Sequence, residues 1–169
     1  IPVLGVIAES KDEGHLVMTG HARTAIAEQF RALRTNIGYY QKQGQKGMVL
    51  LLTSSIPGEG KSFNAANIAM TFAMTGQSTL LIESDLRKPN VAKHFAIGKR
   101  IGLSNFLSGN ATLEEVMFET GMSNLWVIPS GPIPPNPAEL IMGSTRYADL
   151  LDLLIEIDIA LNIYINLFL

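Results

Sequence analysis

The sequence predicts an α/β fold in which a parallel sheet carries helices on both faces. Three observations lead there. Apolar residues make up 47% of the 169 residues and charged residues 17%, a balance that suits layers shielded on more than one side and excludes a disordered tail. A continuous apolar run, Met48-Val49-Leu50-Leu51-Leu52-Thr53, has the character of a central strand covered on both faces. After it come a strongly apolar helical stretch and a second apolar run, Thr79-Leu80-Leu81-Ile82. Strand, helix and strand in succession make a right-handed crossover whose two strands lie parallel in one sheet. A chain of this length is expected to form one domain and to bury about 70% of the surface its unfolded form exposes.

In chain order, Val3-Leu4-Gly5-Val6-Ile7 is long enough for a short strand or a docked extended lead, and Lys11 to Gly20 reads as a loop. From Thr24 to Tyr40, apolar Ile26, Phe30, Leu33 and Ile37 recur at helical spacing and share one face. Gln41 to Gly47 is a polar loop. Lys61 to Thr75 is apolar almost all round, which predicts a buried helix, with Gly76 as its C-terminal stop. Beyond Pro89 the pattern breaks into helical turns near 91–97 and 103–107, a helix over 113–120 and a third strand over 124–128. Four prolines between Gly131 and Pro137 impose a loop, and 138–154 reads as one or two helices. Residues 155–169 are apolar but interrupted by Glu156, Asp158, Asn162 and Asn166, too short and too polar to span a bilayer. The division is therefore 1–47 as a lead and helix, 48–154 as the core, and 155–169 as an unassigned segment. With Ile1 first and no signal-peptide order, the chain reads as a piece of something longer.

Composition narrows the function classes. Thirteen basic and 15 acidic side chains give a formal charge of −2, so there is no electrostatic footprint for nucleic acid or acidic lipid, and any phosphate recognition must be local. The absence of cysteine rules out disulfides, thiolate-zinc sites and thiol nucleophiles, and favours a cytosolic setting. The three histidines, His15, His21 and His94, are not spaced as a helical metal pair.

The strongest local signal is Ser54-Ser55-Ile56-Pro57-Gly58-Glu59-Gly60-Lys61-Ser62, between a strand and a buried helix. Gly58 and Gly60 allow backbone N–H groups to turn inward around phosphate oxygens, and the positive end of the helix points at the same anion. Lys61 is expected to reach the β and γ phosphates, and Ser62 offers a hydroxyl to Mg²⁺. Relative to G-x-x-x-x-G-K-[ST], Ser55 replaces the first glycine. The second signal is Glu83-Ser84-Asp85-Leu86-Arg87-Lys88-Pro89, where two carboxylates leave the C-terminal end of a core strand, the edge at which open parallel sheets bind ligands. One can hold Mg²⁺ and one can accept a proton from an attacking hydroxyl; which does which stays open. The expected nucleotide contacts are Pro57, Gly58, Glu59, Gly60, Lys61, Ser62, Phe63 and Arg87.

These motifs resemble those of the bacterial tyrosine kinases that control capsule and exopolysaccharide export. Their phosphate loop has the serine pair and the P-G-E-G-K-S ending carried by residues 54–62, and their second motif, an aspartate pair followed by L-R-K-P, is similar to 83–89 with Glu83 in place of the first aspartate. Glu28-Gln29-Phe30-Arg31-Ala32-Leu33-Arg34 matches the family's E-x-x-R-x-x-R helix, and Pro134-Pro135-Asn136-Pro137-Ala138-Glu139-Leu140 its P-P-N-P-x-E-L segment. Pro2 to Ile7 also looks like the family's lead, so the resemblance covers roughly 2–153. It implies a P-loop NTPase-like fold and a kinase that uses ATP and Mg²⁺ to phosphorylate tyrosines on neighbouring copies and other tyrosine-bearing proteins. It also implies a ring joined through Glu28, Arg31 and Arg34, and a membrane-spanning polysaccharide co-polymerase region or partner that holds it at the cytoplasmic face of the inner membrane.

Two family features are missing. No strand ends in I-I-D-T-P-P, whose aspartate completes the magnesium site; Asp158 is the candidate stand-in. The tyrosine-rich tail is absent too; an omitted loop, a truncated chain or a degenerate copy each accounts for these losses. Two alternatives follow: an ATPase switch of the partition or septum-site class, against which Ile56 stands where those proteins carry a signature lysine, and a non-catalytic nucleotide-binding interaction module.

Overall fold

The computed structural model describes residues 2–9, 16–18, 23–41, 47–56, 58–98, 100–143, 145–156 and 162–166, with the backbone alone for 155–156 and 162–166. Pro57, Asp158, His15 and His21 therefore lie outside the described residues.

Thr24 opens helix α1 (Ala25–Gly38), its hydroxyl accepting the Ala27 N–H at 3.2 Å, which satisfies one of the donors a helix start leaves over. The predicted apolar stripe buries Ala27, Phe30 and Ile37. The lead is extended and docks on this helix without joining the sheet: Asn36 Nδ2 donates to the Leu4 carbonyl at 2.7 Å, and the Ala8 N–H donates to Gln29 Oε1 at 2.8 Å. Strand β1 (Met48–Leu52) leads through the glycine turn to α2 (Lys61–Ala73), nine of whose 13 residues are buried. Strand β2 (Thr79–Glu83) is buried at every position. Three short helices follow, α3 (Val91–His94), α4 (Leu103–Leu107) and α5 (Leu113–Val116). The helix expected over 113–120 stops at Val116, and Phe118–Glu119 form a short strand β3 antiparallel to β4 (Leu125–Ile128). The Pro-rich loop ends in α6 (Pro137–Met142), with Pro137 in its first turn, where a missing N–H costs nothing; α7 (Thr145–Glu156) follows.

The sheet order is β1-β5-β2-β4-β3, parallel except for the β3–β4 pair. Strand β5 (Asn162–Asn166) comes from the segment that sequence left unassigned, and it enters between β1 and β2. This displaces β1 from the expected interior position. Among the described residues β1 is an edge strand, and Val49 and Leu51 on its outer face are 39% and 52% exposed. An apolar run of five has the same local signature in either position.

Both faces of the sheet are covered at β2. Leu81 of β2 packs with Phe30, Ile68 and Phe72 of α1 and α2. Its neighbours Leu80 and Ile82 point the other way, onto Leu103, Leu107, Val116, Leu150 and Leu154 from α4, α5 and α7. That alternation is the period-two rule of a strand buried on both sides. Asn67 adds a polar tie inside α2, its Oδ1 accepting the Val17 and Met18 N–H groups at 2.9 and 3.2 Å. No helix among the described residues is long and apolar enough to cross a membrane.

Candidate functional site

The register sets where the two sequence motifs meet. Leu52, Asn166 and Glu83 stand level across β1, β5 and β2, so the loop after β1 and the acidic turn after β2 leave the same edge of the sheet. One strand lies between them, about 10 Å of sheet at the usual spacing.

Within the loop, Gly58 and Gly60 adopt φ of 90° and 82°, a left-handed backbone that a side chain would strain. Gly60 caps α2, and the first helical bond runs from Asn64 N–H to its carbonyl at 2.8 Å. The amides of Lys61, Ser62 and Phe63 thus form the first turn of α2, which faces the loop with the positive end of the helix dipole. Lys61 Nζ lies back across the loop and donates to Ser54 Oγ at 2.7 Å. Glu59 closes the opposite side: its Oε2 accepts the N–H groups of Ser55 and Ile56 at 3.1 and 3.4 Å. The Phe63 ring is turned inward, edge-on to Phe30 at 5.9 Å, which leaves its backbone for the loop.

The two carboxylates separate in role. Asp85, 8% exposed, folds its own turn: Oδ1 accepts the N–H groups of Arg87 and Lys88 at 3.1 and 2.9 Å, and this turn does not use Oδ2. Glu83 is fully buried. Its Oε1 accepts the N–H groups of Asn90 and Val91, and its Oε2 accepts that of Ser130 at 3.2 Å. Burial pushes its carboxyl above the usual range; the amides of Val91, Asn90 and Ser130 oppose this, and the charge of Asp85 adds to it. Between the two, Ser84 Oγ lies 2.8 Å from the Tyr147 hydroxyl of α7.

The groups expected to hold an anion, Gly58, Gly60, Lys61 and Ser62, thus lie on one loop, with Glu83 and Asp85 on the same sheet edge and Arg87 in the Asp85 turn. Reading the sequence missed Ser130, Asn90, Val91 and Tyr147 as partners of the acidic motif. Ser130 is 47 residues from Glu83, and no local pattern announces it. For magnesium, the Ser62 hydroxyl and Asp85 are hard oxygen donors of the right kind. No cluster of three or more metal-ligating side chains occurs among the described residues, and Mg²⁺ is ordinarily held by one or two carboxylates with waters and phosphates.

On α1, Glu28 and Arg31 form an ion pair with each other, and Arg34 Nη1 donates to the Thr71 carbonyl of α2 at 3.1 Å. The three residues share a stripe, yet Arg34 ties the helix to its own domain.

No family model matches the chain. Among curated proteins, it is 39% identical over 132 residues to the tyrosine-protein kinase YwqD of Bacillus subtilis, covering 78% of this chain and 55% of that protein. It is 42% identical over 118 residues to the tyrosine-protein kinase CpsD of Streptococcus agalactiae, covering 69% and 50%. The chain spans about half the length of these relatives. Among solved structures, the kinase domain of the Escherichia coli tyrosine kinase ETK superposes with a TM-score of 0.87 at 28% identity, over 98% of this chain and 68% of that one. The VpsO kinase domain gives 0.66 at 34%, over 80% and 68%. A cell-division ATPase MinD from Pyrococcus furiosus, TM-score 0.58 at 21% identity over 70% of this chain and 49% of that one, shares the fold alone. With the phosphate loop, the acidic turn and the sheet order in place, these relationships make the chain a member of the bacterial tyrosine-protein kinase family.

Proposed function

We propose that the chain binds Mg·ATP in the loop 54–62 and transfers the γ-phosphate to tyrosine hydroxyls, including those of neighbouring copies, as part of capsule or exopolysaccharide export. The observation that carries this reading is the level ending of β1 and β2, which opens the phosphate loop and the Asp85 turn on one edge. The backbone amides of the first turn of α2 and the Lys61 ammonium neutralise phosphate charge. At an effective dielectric of about 20, a unit charge 4 Å away contributes on the order of 4 kcal/mol gross. Moving Lys61 Nζ from Ser54 to phosphate exchanges a neutral acceptor for a charged one, a gain of roughly twofold in bond strength.

Ser62 and Asp85 are the residues we assign to magnesium, which supplies charge neutralisation between the phosphates when bound. Glu83, expected as a base or second metal carboxylate, has both oxygens turned to protein amides. We assign it instead to holding the acidic turn in place. We further propose that the domain works in a ring at the cytoplasmic face of the inner membrane, joined to a membrane-spanning co-polymerase region or partner. Here Glu28 and Arg31 are the α1 groups assigned to the subunit contact.

The test is incubation of the purified chain with Mg·ATP, blotted for phosphotyrosine beside Lys61→Met and Asp85→Asn. The signal is expected to vanish in both variants while their circular dichroism stays that of the parent. Undiminished phosphotyrosine in Lys61→Met overturns the assignment.

A further inference from the structure

We propose that Tyr39 and Tyr40, at the C-terminal end of α1, are phosphate acceptors served by the phosphate loop of a second copy of this chain. The inference rests on the phosphotransfer reading above and names an acceptor for it.

The chain has four tyrosines, Tyr39, Tyr40, Tyr147 and Tyr164. An acceptor must carry its phenol oxygen to within about 3–3.5 Å of a phosphorus atom held by another molecule, so it needs a ring that projects from the surface and a hydroxyl with nothing to give up. Tyr147 meets neither condition, because its ring is half-buried and its hydroxyl is bonded to buried Ser84. Tyr164 belongs to a strand paired on both edges, with Leu50 on one side and Leu81 on the other, and it cannot leave without opening the sheet.

Tyr39 and Tyr40 are 81% and 62% exposed. Neither hydroxyl has a hydrogen-bond partner among the described residues. Both sit where α1 unwinds into a turn, with Tyr40 N–H bonded to the Ile37 carbonyl at 3.0 Å and Gln41 N–H to that of Gly38 at 3.1 Å. The same helix carries Glu28 and Arg31 on its surface, so a neighbour drawn to α1 meets the tyrosine pair at its end.

Position excludes transfer within one copy. Tyr40 lines a groove of about 450 Å³ with Leu4, Ile37, Met48 and Val49, at the amino end of β1. The phosphate loop begins at the opposite end of that strand, and Met48 to Leu52 spans about 13 Å at about 3.3 Å per residue. A tyrosine side chain does not reach across that length and around the loop. In a second copy the geometry is unconstrained: the phenol oxygen attacks the γ-phosphorus, the bond from that phosphorus to the ADP oxygen breaks, ADP departs, and the phenolic proton passes to water.

The experiment incubates the full chain with Mg·ATP, maps phosphate by mass spectrometry, and runs a synthetic glutamate–tyrosine copolymer in parallel as an outside acceptor. Phosphate is expected on Tyr39 and Tyr40. The double variant Tyr39→Phe, Tyr40→Phe, which keeps both rings, is expected to lose most of the phosphate incorporated into the chain while phosphorylating the copolymer as the parent does. Mixed with that double variant as donor, a Lys61→Met chain is expected to gain phosphate at Tyr39 and Tyr40. Copolymer phosphorylation with phosphate only on Tyr147 or Tyr164, or on no tyrosine of the chain, overturns the inference and leaves the phosphotransfer reading standing. A Lys61→Met chain that stays unmodified in the mixture overturns transfer between copies. Phosphate on neither copolymer nor chain overturns both readings together.

Discussion

Glu83 and Ser130, 47 residues apart, are joined inside the protein by a 3.2 Å bond from the Ser130 N–H to the Glu83 carboxylate. With the amides of Asn90 and Val91 on the other oxygen, one buried side chain holds the end of β2, the start of α3 and the loop after β4. Glu83→Ala leaves three N–H groups without their acceptor and is expected to cost about 3 kcal/mol or more, since each unsatisfied buried donor costs roughly 1–3 kcal/mol. Glu83→Asp, the residue usual in the family, is one methylene shorter and is expected to lose part of the same set, at about 1–2 kcal/mol. Urea denaturation measures both; an Ala variant as stable as the parent contradicts the assignment.

The Ser84–Tyr147 hydroxyl pair gives the fold an alkaline limit. Burial raises the Tyr147 phenol above its ordinary 10.0, and the Ser84 bond offsets only part of that rise. The folded chain therefore keeps its proton where the unfolded chain has lost it. The stability this contributes is fully present below pH 10 and is lost as pH climbs through the folded value. Tyr147→Phe is expected to lack that alkaline slope and to be about 1 kcal/mol less stable at neutral pH, where Ser84 loses its partner. Thermal melts from pH 8 upward, parent against variant, show whether the two slopes differ.

Arg34 and Arg31 are expected to behave differently although they share a stripe. Arg34→Ala removes a charged donor from the Thr71 carbonyl between α1 and α2, at about 1.5–3 kcal/mol. Arg31→Ala breaks a surface pair with Glu28, whose side chain is 64% exposed, a contact worth about 0.5 kcal/mol or less. Sedimentation velocity separates the second role: Arg31→Ala is expected to shift assembly without lowering the melting temperature. Equal destabilisation by the two substitutions argues against this division.

Glu59 holds the entry of the phosphate loop by receiving the Ser55 and Ile56 amides. Glu59→Ala is expected to weaken ADP binding about tenfold, the equivalent of about 1.4 kcal/mol for a lost charge-assisted tether, with little change in melting because the residue is exposed. Titration calorimetry with Mg·ADP decides it, and unchanged affinity means that the tether does not pre-form the site.

What the chain's order of residues determined by itself is local. The helical stripe with Phe30 and Ile37, the strand-loop-helix passage through Gly60 and Lys61, the stop at Gly76 and the helix start at Pro137 are each decided by residues within a turn or two. Steric limits on the backbone and a periodic apolar face act over that distance. The tertiary structure decided what those rules do not reach. Strand β5 took the place between β1 and β2, and β1 went to the edge of the described sheet. Glu83 turned to amides from the start of α3 and, 47 residues away, from the loop after β4, and Arg34 turned inward to Thr71. A buried charge takes whichever donors packing brings to it, and a strand takes whichever edge is free. Both outcomes depend on segments tens of residues away, brought into contact only when the two faces of the sheet close over their cores.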